Sequence, residues 1–357
     1  MVNSVHSGGI MLAAVYHGPN DLRVENVNKP EISKDEILIK ILSGSICGTD
    51  LRILHGNHRM YTPGTVRIPG HEVVGDIVKV GIGVTGYSVG QRVFIAPNTG
   101  CGHCKQCITG NNNLCANYDA LGVTMDGGFA EYMRVPANSI RQGNVIEVSK
   151  QVDPAVAALM EPFACVLRGQ NALHIRPGEV VLVIGAGPIG VMHTKLAKAR
   201  GAGILIVSER IPTRAEQVKR MGADYVVNPA EQNLRQELDK ITQGRGADVI
   251  IVAAPVHAAQ ESALDLAAIS GRINFFGGLP KDRPTINFDS NQVHYKELVI
   301  TGTTACSTAD CWQAADIINS GLVDLSDLVS QKFALKDAVQ AFAAAEDRKA
   351  LKIVLEP

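Results

Sequence analysis

The chain has 357 residues, 46% of them hydrophobic and 19% charged, more than one ordinary core accommodates, so two domains are expected. Its 34 Lys and Arg against 35 Asp and Glu leave a formal charge of −1, which gives no electrostatic footing for nucleic acid or an anionic membrane. No apolar run reaches the roughly 18 residues of a membrane span, and MVNSVHSGGIML at the start lacks the basic and long apolar regions of a signal peptide. A cytoplasmic location with reduced cysteines is therefore expected.

From about Leu12 to Ala137 the chain is rich in Gly, Val and Ile in short alternating runs. Glu36–Cys47, Val73–Gly81 and Gln91–Pro97 read as strands between turn signals such as GYSVG, which predicts a β-rich barrel with long loops. One of these loops, GCGHCKQCITGNNNLC, carries Cys101, Cys104, Cys107 and Cys115. Four thiolates close a tetrahedral zinc shell and leave no position for substrate, so a structural zinc is expected. A reducing compartment argues against disulfides. His103 is the loop's one spare donor and reads as a bystander. With a single lysine and no arginine, the loop does not resemble a nucleic-acid module.

Near Asp153–Leu173 the apolar spacing becomes helical. After RPGE strands and helices alternate. Val180–Gly185 leads to a helix over Pro188–Arg200, and Ile204–Glu209 to a helix through TRAEQVKRMG. DYVVN leads to a helix over EQNLRQELDKITQG, and ADVIIVAA to a helix near His257–Ile269 followed by GRINFFGG. Such alternation specifies a parallel sheet covered on both faces. The tail, from KELVITGTT through an amphipathic helix to KALKIVLEP, is expected to return at least partly to the first domain.

Gly185, Gly187 and Gly190, with Pro188 and Ile189 among them, form G-x-G-x-x-G between an apolar strand and a helix. The spacing suits a tight turn, close approach of a pyrophosphate and close helix–strand packing. Glu209, about 20 residues on, is placed to accept ribose hydroxyls. An acid there repels a 2′-phosphate and favours NAD over NADP, although Arg210 and Arg214 temper the preference. Cys47 in SICGTD, His71 and Glu72 in PGHEVVG, and Glu161 in MEPFAC supply the thiolate, imidazole and carboxylate of open catalytic zinc sites. Each alone could be a buried cysteine, a satisfied core histidine or a helix N-terminal carboxylate. Beside a dinucleotide fold the combination points to a metal centre.

CGTD, GHEVVG, the four-cysteine loop and GAGPIG occur together, and the chain from about Met11 to Pro357 resembles the zinc-containing medium-chain dehydrogenase/reductases. GHE and EP are similar to the polyol branch, which includes sorbitol and sugar-alcohol-phosphate dehydrogenases, with threonine dehydrogenases as neighbours. The resemblance implies an α/β protein. A GroES-like catalytic domain over 1–161, completed by 302–357, would join a Rossmann NAD-binding domain over 162–301, with the active site in the cleft between them. It implies a catalytic zinc on Cys47, His71 and Glu72, with Glu161 ligating the metal or hydrogen-bonding its water. The expected reaction moves a hydride between NAD(H) and a secondary hydroxyl or ketone of a polyol or polyol phosphate. L-threonine 3-dehydrogenase or general secondary-alcohol activity is the alternative. A non-catalytic dinucleotide-binding protein is disfavoured because the zinc ligands are retained.

Thr49 matches the residue that begins the family's proton relay. Arg52 stands where liver-type alcohol dehydrogenases end it with histidine, which leaves the proton exit open among Glu72, Glu161 and water. Arg52 and His55, in a segment with His58, Arg59 and Tyr61, are candidate substrate contacts, for hydroxyls or a phosphate; a solvated loop is the other reading. The family also implies a homo-oligomer, dimer or tetramer, acting on a small molecule.

Overall fold

Alternating isoleucines make Ile37–Ser45 the strand around which the first part of the chain is built. Ile37, Leu38, Ile39, Ile41 and Ser43–Ser45 are all buried and only Lys40 is exposed, the pattern of a strand covered on both faces along most of its length. The computed structural model describes residues 9–347 and 349–357. Two compact units emerge: one comprises the chain up to Ala164 together with Cys306–Pro357, the other Cys165–Ala305.

In the first unit a seven-stranded sheet runs in the order Val329–Ala334, Lys352–Glu356, Ile37–Ser45, Glu72–Val80, Arg92–Ile95, Val145–Glu147, and Tyr132–Val135 also pairs with Ile37–Ser45. The last strand lies antiparallel to Ile37–Ser45, Val354 opposite Ser45, which places the final residues between that strand and the edge strand Val329–Ala334. The hairpin Ile10–Gly18 with Asp21–Asn28 contributes to a core that also takes Phe129, Phe342 and Ile353. The rings of Phe129 and Phe342 meet edge to face, 5.7 Å between centroids. A second core gathers Ile37, Ile39, Ile41, Val73, Ile77 and Val93.

The second unit is a six-stranded parallel sheet in the order Tyr225–Val227, Ile204–Ser208, Val180–Ile184, Ala247–Val252, Ala267–Phe275, Val299–Gly302. Counted along the chain this is 3-2-1-4-5-6, the doubly wound Rossmann order. Val180–Ile184 is buried throughout, as expected of a strand covered on both faces. One helix is shorter than its sequence suggests: it spans His257–Leu266, and the chain passes directly into Ala267–Phe275. Ala267 and Ala268 are buried, and a short apolar run of this kind fits either state until a neighbouring strand claims it. Ala247 does so by pairing with Ala267. No helix among the described residues is long and apolar enough to cross a membrane.

Candidate active site and metal centres

Cys47 is the N-cap of the short helix Gly48–Leu54, His71 ends the preceding glycine-containing connection, and Glu72 opens the strand Glu72–Val80. Their ligand atoms lie within 4.8 Å of one another. His71 Nδ1 faces Asp50 Oδ1 at 3.4 Å, a charge contact rather than a hydrogen bond, so Nε2 is the ring nitrogen left for a metal. Asp50, 1% exposed, also accepts the backbone N–H of Cys47 on Oδ2 at 2.9 Å. One buried carboxylate thus ties two candidate ligands together. Its sequence signal was the acid three residues after a helix N-cap.

Lys352, at the start of the last strand, reaches Glu72 Oε2 at 2.6 Å and donates to Ile46 O at 3.0 Å. Burial opposes the lysine's charge, but Glu72, with Cys47 and Glu161 adding to it, holds its pKa above the ordinary value. His71 is likewise disfavoured as a cation by burial, yet Asp50 and Cys47 carry it well above the usual histidine range. Glu161 is the second residue of the helix Met160–Asn171. Burial raises its pKa, against the opposing field of His71, and its Oε1 accepts from the Cys306 thiol at 3.5 Å.

His71 Nδ1, Asp50 Oδ1 and Glu72 Oε1 are buried without a hydrogen bond. A proton held among a thiol and carboxylates is what a divalent cation displaces. The mixed sulfur, nitrogen and oxygen donors suit zinc.

Thr49 Oγ1 accepts from Arg52 Nη2 at 2.9 Å, on the same helix. His55 is placed differently from the substrate contact expected of it. Its Nδ1 lies 2.8 Å from Asn20 Oδ1 and its Nε2 2.5 Å from Glu346 Oε1. Both ring nitrogens are engaged in a bridge to the Ile10–Asn28 hairpin and the helix Ala338–Glu346, so contact with a substrate would require that bridge to open.

The four loop cysteines form a separate group, all ligand atoms within 4.8 Å. Sγ–Sγ distances of 3.5 Å for Cys104–Cys107, 3.8 Å for Cys104–Cys115 and 3.9 Å for Cys101–Cys107 match the edges of a tetrahedron with Zn–S of about 2.3 Å. None of these thiols is in a disulfide. Backbone N–H groups of His103 and Cys104 lower Cys101 to about 6, while burial pushes Cys107 up to about 12, so the four crowded thiols would need a cation to ionise together. His103 is exposed, with Nδ1 on Cys101 O at 3.0 Å, apart from the thiol cluster.

In the second unit, Gly185 at φ +102° turns the chain out of Val180–Ile184. Any Cβ on Gly190 would strike the Gly185 carbonyl. Gly187 caps the helix Pro188–Ala199, with Pro188 and Ile189 in its first turn, so unpaired N–H groups face outward for a phosphate. Glu209 is 7% exposed; its Oε2 accepts from Ala186 N and its Oε1 from Ile211 N, both at 2.8 Å. The acid therefore clamps the glycine turn and keeps a second lone pair on each oxygen for a ribose. Arg210 is exposed, and a Cβ on Gly187 would lie 3.8 Å from Arg214 Nη1.

Residues 33–150 match the alcohol dehydrogenase GroES-like domain family and residues 188–320 the zinc-binding dehydrogenase family. An L-threonine 3-dehydrogenase of Pyrococcus horikoshii is 37% identical over 312 residues, 86% of each chain. A sorbitol dehydrogenase of Bacillus subtilis is 33% identical over 351 residues, 97% of each. A candidate zinc-binding dehydrogenase from Sinorhizobium meliloti, solved with NADP bound, superposes with a TM-score of 0.90 at 29% identity, covering 98% of this chain and 100% of that one.

Proposed function

The chain belongs to the zinc-binding medium-chain dehydrogenase/reductase superfamily, and from that premise we propose that it oxidises a secondary hydroxyl of a polyol or polyol phosphate with NAD. Membership makes it an oxidoreductase that uses zinc and a nicotinamide cofactor on a small-molecule alcohol. When bound, zinc supplies Lewis acidity toward the substrate oxygen and the nicotinamide exchanges the hydride.

Cys47, His71 and Glu72 would hold the catalytic zinc; Glu161, the fourth expected ligand, groups instead with Cys165 and Cys306 and would act on the metal's surroundings. Asp50 faces His71 Nδ1, and Lys352 holds one oxygen of Glu72. Thr49 exchanges a proton with the substrate oxygen. Gly185–Gly190 receive the pyrophosphate at the helix N-terminus. Glu209, fixed by two backbone N–H groups, would receive ribose hydroxyls and repel a 2′-phosphate. Cys101, Cys104, Cys107 and Cys115 would hold a second zinc that serves the fold.

The observation that carries this reading is the convergence of Cys47, His71 and Glu72 on one buried point. L-Threonine is the second reading, supported by the 37% identity to a threonine dehydrogenase. The free thiols support a reducing, cytoplasmic setting. Assembly of copies into a dimer or tetramer rests on the family resemblance alone. The test is a panel of sorbitol, other polyols, their phosphates and L-threonine with NAD and NADP, before and after prolonged chelation. Turnover of a polyol with NAD that chelation abolishes is expected. Turnover that survives demonstrated zinc removal would sink the metal assignment, and exclusive use of L-threonine would replace the substrate.

A further inference from the structure

We propose that the first unit carries a second small-molecule site, apart from the candidate metal centre, which takes a zwitterionic α-amino acid with an apolar side chain. A cavity of about 530 Å³ lies among the turn over residues 83–87, the short helix Ala137–Arg141, the strand Val145–Glu147 and Trp312 of the helix Thr308–Asn319. That volume is in the range of small-ligand pockets, and no candidate metal or cofactor residue lines it. Its apolar lining is continuous with a core. Val93 and Val145 are each 1% exposed, and Val84, Tyr87 and Ile140 pack on the flank of the same cluster. Tyr87 Oη donates to Val145 O at 3.0 Å, and Trp312 Nε1 donates to Gly143 O at 2.9 Å. Each ring thus spends its polar atom on a backbone carbonyl, which fixes the ring and leaves its face for a ligand. Trp312 is 45% exposed, although a tryptophan is ordinarily well buried.

Asp35, Arg141 and Glu147 bring the charge to this lining. A Cβ on Gly83 would strike Asp35 Oδ1, which places that carboxylate against the turn. No hydrogen bond or ion pair among the described residues engages any of the three side chains. One guanidinium and two carboxylates disfavour the simplest ligands. A plain anion that met Arg141 would face two carboxylates, and a plain cation that met the carboxylates would face the guanidinium. A zwitterion satisfies both signs. Its carboxylate accepts the parallel N–H bonds of Arg141. Its ammonium goes to Asp35 or Glu147, with an aromatic face adding attraction. Its side chain covers the apolar floor at Val84 and Ile140, which is where the hydrophobic gain arises. A hollow whose charges are merely solvated would show no such preference.

Trp312 is the chain's one tryptophan, so tryptophan emission reports on this cavity. The full, zinc-loaded chain without nicotinamide is titrated with L-phenylalanine, with 2-phenylethylamine, which lacks the carboxylate, and with 3-phenylpropanoate, which lacks the ammonium. Fluorescence and calorimetry follow each titration, and neither depends on turnover. L-Phenylalanine is expected to give a saturable change in emission and heat, and each analogue to bind about tenfold more weakly for want of one charged hydrogen bond. Arg141→Gln, at an exposed position, should weaken L-phenylalanine by about the same factor at unchanged melting temperature, and bind 2-phenylethylamine no less well than wild type. Asp35→Asn combined with Glu147→Gln should weaken L-phenylalanine and spare 3-phenylpropanoate. Absence of saturable heat and emission change with L-phenylalanine overturns the proposal. An analogue that binds wild type as tightly as L-phenylalanine overturns the zwitterion assignment, and this comparison decides even where a variant folds poorly. L-Phenylalanine affinity unchanged in both charge variants places its binding elsewhere and overturns the site.

Discussion

Lys352 Nζ lies 2.6 Å from Glu72 Oε2, across 280 positions of sequence, with the two side chains 4% and 0% exposed. A buried ion pair gains little over an apolar pair of equal volume, but removing one partner strands the other charge in a medium that solvates it poorly. Here the lysine holds one carboxylate oxygen, and Oε1 is left without a hydrogen bond, so one oxygen of Glu72 remains for the candidate zinc.

Lys352→Met should therefore cost about 3–5 kcal/mol of unfolding free energy in metal-stripped protein, the range for breaking a buried pair. Zinc, where bound, supplies the missing positive charge, so the loss should be smaller in the loaded protein. Urea unfolding of both forms measures the difference. Equal stability of the stripped variant and stripped wild type would show that the pair carries no such weight.

Cys104→Ser is expected to release the loop's zinc while the metal held by Cys47 stays. Cys104 is central to its cluster, with Cys107 and Cys115 within 3.8 Å, and structural zinc contributes folding free energy directly. Metal content and melting temperature should both fall, and kcat of the surviving folded fraction should stay within about twofold of wild type. Loss of catalysis at full stability and full metal content would contradict a purely structural site.

The residues proposed for metal and cofactor chemistry stood out in the sequence because their side chains have few other uses in such spacings. Cys47, His71 and Glu72 converge, and so do the four loop cysteines. The doubly wound parallel sheet was legible from alternating apolar strands and amphipathic helices, while its strand order came only from the pairing. Lys352 was not legible: it looked like one residue of a terminal strand, and its partner is set by which strand Lys352–Glu356 pairs with. Asp50 was masked by its ordinary turn context, although it joins Cys47 and His71. His55 misled in the other direction, since a histidine near a metal segment suggests substrate and only tertiary contacts reveal Asn20 and Glu346 on its ring. The end of the helix at Leu266 was equally obscure, because an apolar AAI run has no period of its own.

His193 makes the second unit acid-sensitive. It is fully buried in the helix Pro188–Ala199, receives Gln170 Nε2 on its Nδ1 at 3.3 Å, and meets Phe276 edge to face. Burial, with Arg200 adding to it, pushes its pKa down to about 3, against about 6.5 in an unfolded chain. The neutral ring is thus the folded form, and its contribution is complete above pH 6.5. As pH falls from 6.5 toward 3 the unfolded chain takes up a proton that the folded one refuses, and up to a few kcal/mol is lost. His193→Leu should flatten the stability difference between pH 7 and pH 5 measured by denaturant unfolding. An unchanged slope would mean that the histidine is not the titrating group.

Glu209 sets the last prediction, because its two oxygens do different work from a simple ribose acceptor. Each is held by a backbone N–H, Ala186 on one side and Ile211 on the other, so the negative charge is locked at the turn rather than free to swing away from a 2′-phosphate. Glu209→Gln keeps the shape but replaces one acceptor with a donor. It loses one backbone bond, removes the charge, and leaves exposed Arg210 and the nearby Arg214 unopposed by that carboxylate. kcat/KM with NAD should fall about tenfold, equivalent to about 1.4 kcal/mol, while kcat/KM with NADP should rise, since the repulsion is gone and two guanidinium groups remain to meet the phosphate. Steady-state kinetics with both cofactors on the same substrate decide the matter. A variant that loses NAD and NADP efficiency by the same factor would show that Glu209 serves the turn alone, and that cofactor choice lies with the arginines.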